Sequence, residues 1–287
     1  MHGTPLGTPD HPVGRLLDPL RHRIRAVLRR LPAPLAEFIL FGLKQAWACL
    51  FAGLMLAMLI VTRFVWHADW PLHRYDALFL AAIGLQALFL VTRLESLDEA
   101  KVILVYHVVG TLMELYKTHM GSWAYPEAAF FRIGGVPLFT GFMYAAVGSY
   151  MARVIRICDM RFSNYPALGW TILLSVAIYV NFFTHHFVWD LRWLLFAWTA
   201  LLFRRVSISY RLDVIWHRMP FILAAFLTAI FMWIAENIGT YTGTWLYPGQ
   251  TAWHLVSLAK LGSWFLLLVI SFVLVSLVNP PKSPDHH

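Results

Sequence analysis

Apolar residues in this chain come in runs rather than in alternation. Runs approaching twenty residues recur, separated by short stretches rich in Gly, Pro, Arg and aromatic residues. A helix needs about 20 apolar residues to cross the hydrocarbon of a bilayer. Eight segments meet or approach that length: 36–62, 75–93, 99–117, 134–155, 166–186, 190–205, 217–238 and 255–278. The sixth is short and the third carries several polar residues. Pro34, Pro71, Pro126, Pro166, Pro248 and the pair Pro280-Pro281 fall at or beyond the ends of these segments, where a missing N–H costs least. The pattern predicts an all-α fold, a polytopic membrane helix bundle of about eight transmembrane helices.

Two polar stretches repeat one another. The first is Glu114-Leu-Tyr-Lys-Thr-His-Met-Gly121-Ser122-Trp123-Ala-Tyr125-Pro126, and the second is Glu236-Asn-Ile-Gly-Thr-Tyr-Thr-Gly243-Thr244-Trp245-Leu-Tyr247-Pro248. Both read E-x6-G-(S/T)-W-x-Y-P. Each follows one apolar run and precedes another, with four predicted spans from one copy to the next. Units four spans apart share their orientation, so the pattern predicts two parallel four-helix repeats about an axis along the membrane normal. The domains expected are a basic arm (1–35), a first repeat (36–155), a second repeat (156–279) and a short tail (280–287).

Charge supplies a direction. Only 13% of residues are charged and mean hydropathy is positive, too little polar surface to coat a soluble globule of this length. With the N-terminus inside, the outer loops carry only Arg63, Arg74, Lys117, Arg132 and Arg192. The remaining basic residues, apart from Lys44 and Lys260 inside spans, fall on the cytoplasmic side. Both termini are then cytoplasmic, and both motifs lie on the outer side. Arg15, Arg21, Arg23, Arg25, Arg29 and Arg30 accompany Leu16, Leu17, Leu20, Ile24, Val27, Leu28 and Leu31 at helical spacing. A basic amphipathic helix of this kind suits an anionic lipid surface. Nucleic acid is the other reading of a basic arm, and the apolar stripe argues against it. The two cysteines, Cys49 and Cys158, imply no disulfide framework. A polar arm rather than a cleavable leader precedes the first run, so the first span is expected to remain as an anchor.

The candidate chemistry centres on Glu114 and Glu236. A carboxylate at the edge of a span is costly and faces the bundle interior, and two from pseudo-symmetric helices can face one cavity as acid and base. The structural alternative is that each glutamate ties down its own Trp-x-Tyr loop. His107 lies two turns before Glu114 on the same face, and Lys117 one turn after it. Trp123, Tyr125, Trp245 and Tyr247 keep a fixed register with the glutamates, which sets them apart from interfacial belt residues. Asn181, His185 and Asn237 join them as substrate-lining candidates. His185 and His186, with a glutamate, are a conceivable metal site, against which stands the small ligand count; no other cofactor is expected. Asp159 with Arg161, and Asp190 with Arg192, read as local ion pairs.

Three stretches carry a resemblance. Gly121-Ser-Trp-Ala-Tyr-Pro-Glu127 with Gly135-Val-Pro-Leu-Phe-Thr-Gly-Phe-Met-Tyr-Ala-Ala-Val-Gly-Ser-Tyr150, Asn181-Phe-Phe-Thr-His-His186 and Ala235-Glu-Asn-Ile-Gly-Thr240 resemble the bacterial multi-pass family called domain of unknown function 817, from about Glu37 to Val278. The resemblance implies a bacterial inner-membrane protein and brings no activity. A partial similarity links Glu114, Gly121, Tyr125 and Gly135-Val-Pro-Leu138, with Glu236, Gly243 and Tyr247, to membrane carotenoid hydratases and the small-subunit lycopene cyclases. The cyclases' acidic Pro-x-Glu-Glu motif is absent here, with Pro126-Glu127 a partial echo.

Three functions follow as expectations. The first is an acid–base enzyme of lyase or isomerase type, hydrating or cyclising an isoprenoid or carotenoid-like membrane lipid through the two glutamates. The second is a transporter whose proton or substrate path runs through His107, Glu114, Lys117 and Glu236. In transporters the helix breaks sit near the midplane, whereas the Gly and Pro punctuation here sits at the helix ends. The third is a non-catalytic scaffold. The expected partners are membrane lipid and an apolar small molecule, not nucleic acid.

Overall fold

The computed structural model describes residues 19, 22–24, 26–249 and 254–284. Most of the expected amphipathic arm therefore lies outside the described residues. Among the described residues from Ala33 on, the helices are α1 (Ala33–Ala48), α2 (Leu50–Val65), α3 (Arg74–Val91), α4 (Leu97–His119), α5 (Phe139–Ile157), α6 (Leu168–Thr184), α7 (Arg192–Phe203), α8 (Phe221–Tyr241) and α9 (Leu258–Val278). Three of them, α3, α8 and α9, are long and apolar enough to cross a membrane. A fourth crossing is added if α1 and α2 count as one broken span, bent by 71°. The other expected spans fall short for physical reasons. Helix α4 has 23 residues, but its buried Glu99, Glu114 and Lys117 interrupt its hydropathy. Helix α7 has 12 residues, about 18 Å of rise against roughly 30 Å of hydrocarbon.

The break after Ala48 was not expected within the predicted span 36–62. Arg153 of α5 reaches it: its Nη2 donates to the Trp47 carbonyl at 3.0 Å. A side chain inserted into the helical ladder is a recognised cause of a sharp kink. The Arg153 side chain is fully buried, with its guanidinium 5.3 Å from the Phe89 ring centroid. Nearby, buried Lys44 donates to the carbonyls of Ile157 at 3.0 Å and Arg211 at 2.8 Å, satisfying the open end of α5 and the end of a strand.

Helix α5 is the centre of the packing and touches α1, α2, α3, α4 and α9. Its buried positions include Gly141, Ala145, Ala146, Gly148, Ser149 and Ala152, small residues that let helix backbones approach. The largest core joins Val102, Ala145, Leu174, Leu195, Phe203, Ile208, Phe221, Leu268 and Phe272. Outward faces are apolar as well, as at Leu104, Val108 and Leu112 of α4 and Leu223, Phe226, Leu227 and Phe231 of α8. Contiguous exposed apolar surface of this kind suits lipid rather than water.

The structure is mostly helical, as expected, and adds two small sheets. Strands β1 (Arg132–Ile133) and β2 (Val136–Pro137) form a hairpin. Strands β3 (Arg161–Ser163), β4 (Ser207–Arg211) and β5 (Trp216–Pro220) form an antiparallel sheet in that order. The predicted span from 217 begins instead at Phe221, because 216–220 pair with β4 and Pro220 stands at the helix boundary. The sheet and the motif loops lie at opposite ends of the bundle, since α5, α7 and α8 each join one to the other.

Candidate functional site

Both motif copies fold the same way, from the glycine outward. Gly121 (φ 66°) and Gly243 (φ 67°) follow the ends of α4 and α8 in the left-handed region. The next amide turns back on the helix in each: Ser122 N–H to the Lys117 carbonyl at 2.9 Å, Thr244 N–H to the Gly239 carbonyl at 3.0 Å. This is the Schellman closure, which satisfies orphan carbonyls and demands a residue tolerant of positive φ. It aims the following Trp-x-Tyr back at the glutamate about two turns before the glycine.

Glu114 Oε2 accepts from Trp123 Nε1 at 2.8 Å and the Tyr125 hydroxyl at 2.7 Å. Glu236 Oε1 accepts from Trp245 Nε1 at 2.7 Å and the Tyr247 hydroxyl at 2.5 Å. The copies then diverge. Glu114 Oε1 takes a third donor, the Tyr144 hydroxyl of α5, at 2.6 Å. Glu236 instead has Lys260 and Trp264 of α9 approaching it. Burial, then the adjoining carboxylates, hold the phenols of Tyr125 and Tyr247 well above the usual tyrosine range, so both stay protonated as donors.

The two loops pair with each other at equivalent positions. Ala124 N–H donates to the Leu246 carbonyl at 2.9 Å, and Leu246 N–H returns the bond to Ala124 at 3.0 Å. Trp123 meets Tyr247 edge-on, with ring centroids 6.1 Å apart. The start of α3 holds both loops in place. Arg74 pairs with Glu127 at 2.8 Å, and the buried Tyr75 hydroxyl donates to the Thr244 carbonyl at 2.7 Å. Asp76 accepts from the amides of Phe130 and Phe131 at 2.9 and 2.8 Å.

Beneath the paired loops is a cavity of about 280 Å³. Its walls include Glu114, Lys117, Trp123, Tyr125, Asn181, His185, Glu236, Trp245 and Tyr247, so nine of the expected site residues meet in one place. Further in, the lining turns apolar, with Met143, Val147, Met232, Leu266 and Leu267. A second cavity of about 40 Å³ shares Tyr144, Val147, Trp264 and Leu267 with it.

The other expected residues, His107, His186 and Asn237, are not among the cavity walls. His107 lies against Gly141, where any Cβ would fall 2.4 Å from the imidazole, and stacks edge-on with Phe142; the cavity walls do not include it. Asn237 accepts from the Val256 amide at 2.8 Å and donates to the Trp233 carbonyl at 2.7 Å, fixing the approach to α9. His186 Nε2 lies 3.0 Å from Lys117 Nζ, and His185 Nδ1 faces the carbonyls of Asn181 and Phe182 at 3.2 and 3.0 Å. Both imidazoles are held below the usual histidine range, first by loss of solvent and then by the Lys117 charge. Among the described residues no three His, Cys, Asp or Glu side chains converge as a metal site would need. Asp190 pairs with Arg192 at 3.1 Å, and Asp159 with Arg161 at 3.7 Å.

Sequence reasoning passed over Tyr144, Lys260 and Trp264. Lys260 left a signal, a cation inside an apolar run. Tyr144 and Trp264 left none, because aromatic residues in a span are ordinary.

Residues 37–272 match the family described as Protein of unknown function (DUF817). The chain belongs to that family. A relative in Bacillus subtilis (strain 168), "Uncharacterized protein YoaT", is 40% identical over 247 residues, covering 86% of this chain and 93% of the relative. No solved structure matches. Every cavity residue named above falls inside the matched span.

Proposed function

We propose that this chain is a multi-pass protein of the bacterial inner membrane whose outer cavity performs acid–base chemistry on a long-chain unsaturated lipid. In this reading the helices form two parallel four-helix repeats, α1–α2, α3, α4, α5 and then α6, α7, α8, α9. Both termini are cytoplasmic. The observation that carries the functional part is that both motif glutamates wall one cavity whose inner end is apolar.

The divergence between the copies divides the roles. Glu114 accepts three hydrogen bonds over both oxygens, which fits a fixed carboxylate. Glu236 takes its motif donors on Oε1 and has the Lys260 cation beside it, which stabilises the carboxylate left once a proton has been given and so fits the group that exchanges protons. In the protonated state Glu236 gives its proton to one carbon of a C=C bond, whose π pair becomes the new C–H bond. The neighbouring carbon is left positive, faced by the aromatic rings and by the Glu114 charge. Loss of an adjacent proton to the Glu236 carboxylate gives an isomer; addition of water and loss of its proton to the same carboxylate gives an alcohol. The motif hydrogen bonds also give each glutamate a structural duty, which any variant must be checked for.

Comparative mass spectrometry of membrane lipids from cells expressing wild type, Glu114→Gln or Glu236→Gln tests the proposal. A lipid species present with wild type and lost with folded Glu236→Gln is the expected result, its mass separating hydration from isomerisation. Identical profiles from folded proteins would end the enzymatic reading.

A further inference from the structure

The cavity is lined by cations as well as by its two glutamates. Lys117, Lys260 and Arg192 all wall it. The charges of Lys260 and Arg192 both act on Lys117, so the three share one space. Arg192 is answered by Asp190 at 3.1 Å. Lys117 is not held by Glu114, one turn away, because that carboxylate is taken up by Trp123, Tyr125 and Tyr144. Its Nζ lies instead against the His186 imidazole at 3.0 Å and 4.1 Å from the Phe182 ring centroid, with the side chain 2% exposed. Lys260 Nζ rests 3.9 Å from the Tyr247 ring centroid and 5.5 Å from that of Trp123, with Glu236 near enough for its charge to act on it. Two lysines turned onto aromatic faces and into a cavity remain able to hydrogen-bond an anion. The start of α9 at Ser257 opens on the same space, adding the positive end of a helix dipole.

The size of the cavity sets the kind of ligand. About 280 Å³ is at the lower edge of the ~300–1,000 Å³ usual for small-molecule pockets. A complete long-chain lipid does not fit; a charged head and the first part of its chain do.

We infer that the cavity takes the anionic head, a phosphate or carboxylate, of a membrane amphiphile, held between Lys117 and Lys260, with its chain passing Met143, Val147 and Leu267 toward the second cavity. This rests on the proposed lipid site and narrows its substrate to lipids with a charged head, the bond nearest that head being the one that reaches Glu236.

The test uses full-length protein in nanodiscs of phosphatidylcholine, with dodecyl phosphate, dodecanol and inorganic phosphate as probes and calorimetric binding as the readout. Dodecyl phosphate is expected to bind at least about tenfold tighter than dodecanol, the worth of one charge-assisted hydrogen bond. Inorganic phosphate at equal concentration is expected not to bind. Lys117→Gln and Lys260→Gln should each lose about that factor for dodecyl phosphate and leave dodecanol binding unchanged, which doubles as a check of folding. Lys260→Arg should keep the affinity. Equal binding of dodecanol and dodecyl phosphate would overturn the inference, as would indifference of dodecyl phosphate to both Gln variants, or inorganic phosphate binding as tightly. The lipid comparison with Glu236→Gln reads catalysis independently, so loss of the head-group site and loss of the enzymatic reading give different results.

Discussion

At the scale of single residues, the glutamate–tryptophan–tyrosine contacts could be read from spacing alone. The same interval recurs twice, and the Schellman turn converts that interval into one geometry. Tyr144, which completes the shell of Glu114, could not be read, because it arrives from another helix with no fixed interval. Gly239 shows how tightly the second copy is packed: a Cβ there would lie 2.0 Å from the Trp245 ring. Gly239→Ala is therefore expected to cost about 1–3 kcal/mol, measured as a lower melting temperature. The first copy carries Lys117 at the equivalent position, so its tryptophan is seated differently. Acidity should act through the histidine pair. Their values in the fold lie below the ordinary histidine value, so the unfolded chain takes up these protons first. The stability they contribute is present above the unfolded value near pH 6.5 and lost as pH falls from there through their lower folded values. The melting temperature should fall between pH 7 and pH 5, and the slope should be shallower in His186→Gln. An unchanged slope would place the acid sensitivity in other groups.

At the scale of elements, helices were legible wherever an apolar run was long and its partner was lipid. The break at Cys49 was not, because its cause, Arg153, lies a hundred residues along the chain. Strand β4 was hidden by its five-residue length between two apolar runs, and β5 by its overlap with the run predicted from 217. The motif loops depend on α3 in a way that no pattern announces. Asp76 holds the amides of Phe130 and Phe131, and Asp76→Ala leaves both without their partner. Thermal unfolding should report a loss of about 2 kcal/mol or more. An effect no larger than that of an exposed surface substitution would show that the loop is held by its other contacts alone.

At the scale of the whole molecule, the parity of the apolar runs placed both motifs at one end, and the reciprocal Ala124–Leu246 bonds put them side by side there. What parity does not supply is which end faces outward. Cysteines introduced at Phe130 and Leu255, exposed at the motif end, and at Val214, exposed in the turn between β4 and β5, read it in a background lacking Cys49 and Cys158. A membrane-impermeant maleimide applied to intact spheroplasts should label the first two and spare the third. The reverse pattern would invert the proposed topology. The central claim concerns what the paired glutamates do, and deuterium incorporation reads it most directly. Membranes containing the protein are incubated in heavy water, and their lipids are examined for carbon-bound deuterium that does not wash out. Proton transfer from Glu236 to a double bond predicts deuterium in one lipid class with wild type, none above background with Glu236→Gln, and a reduced rate with Glu114→Gln. No carbon-bound deuterium with wild type, or equal amounts with wild type and folded Glu236→Gln, would contradict the account and leave the glutamates as anchors of their own loops.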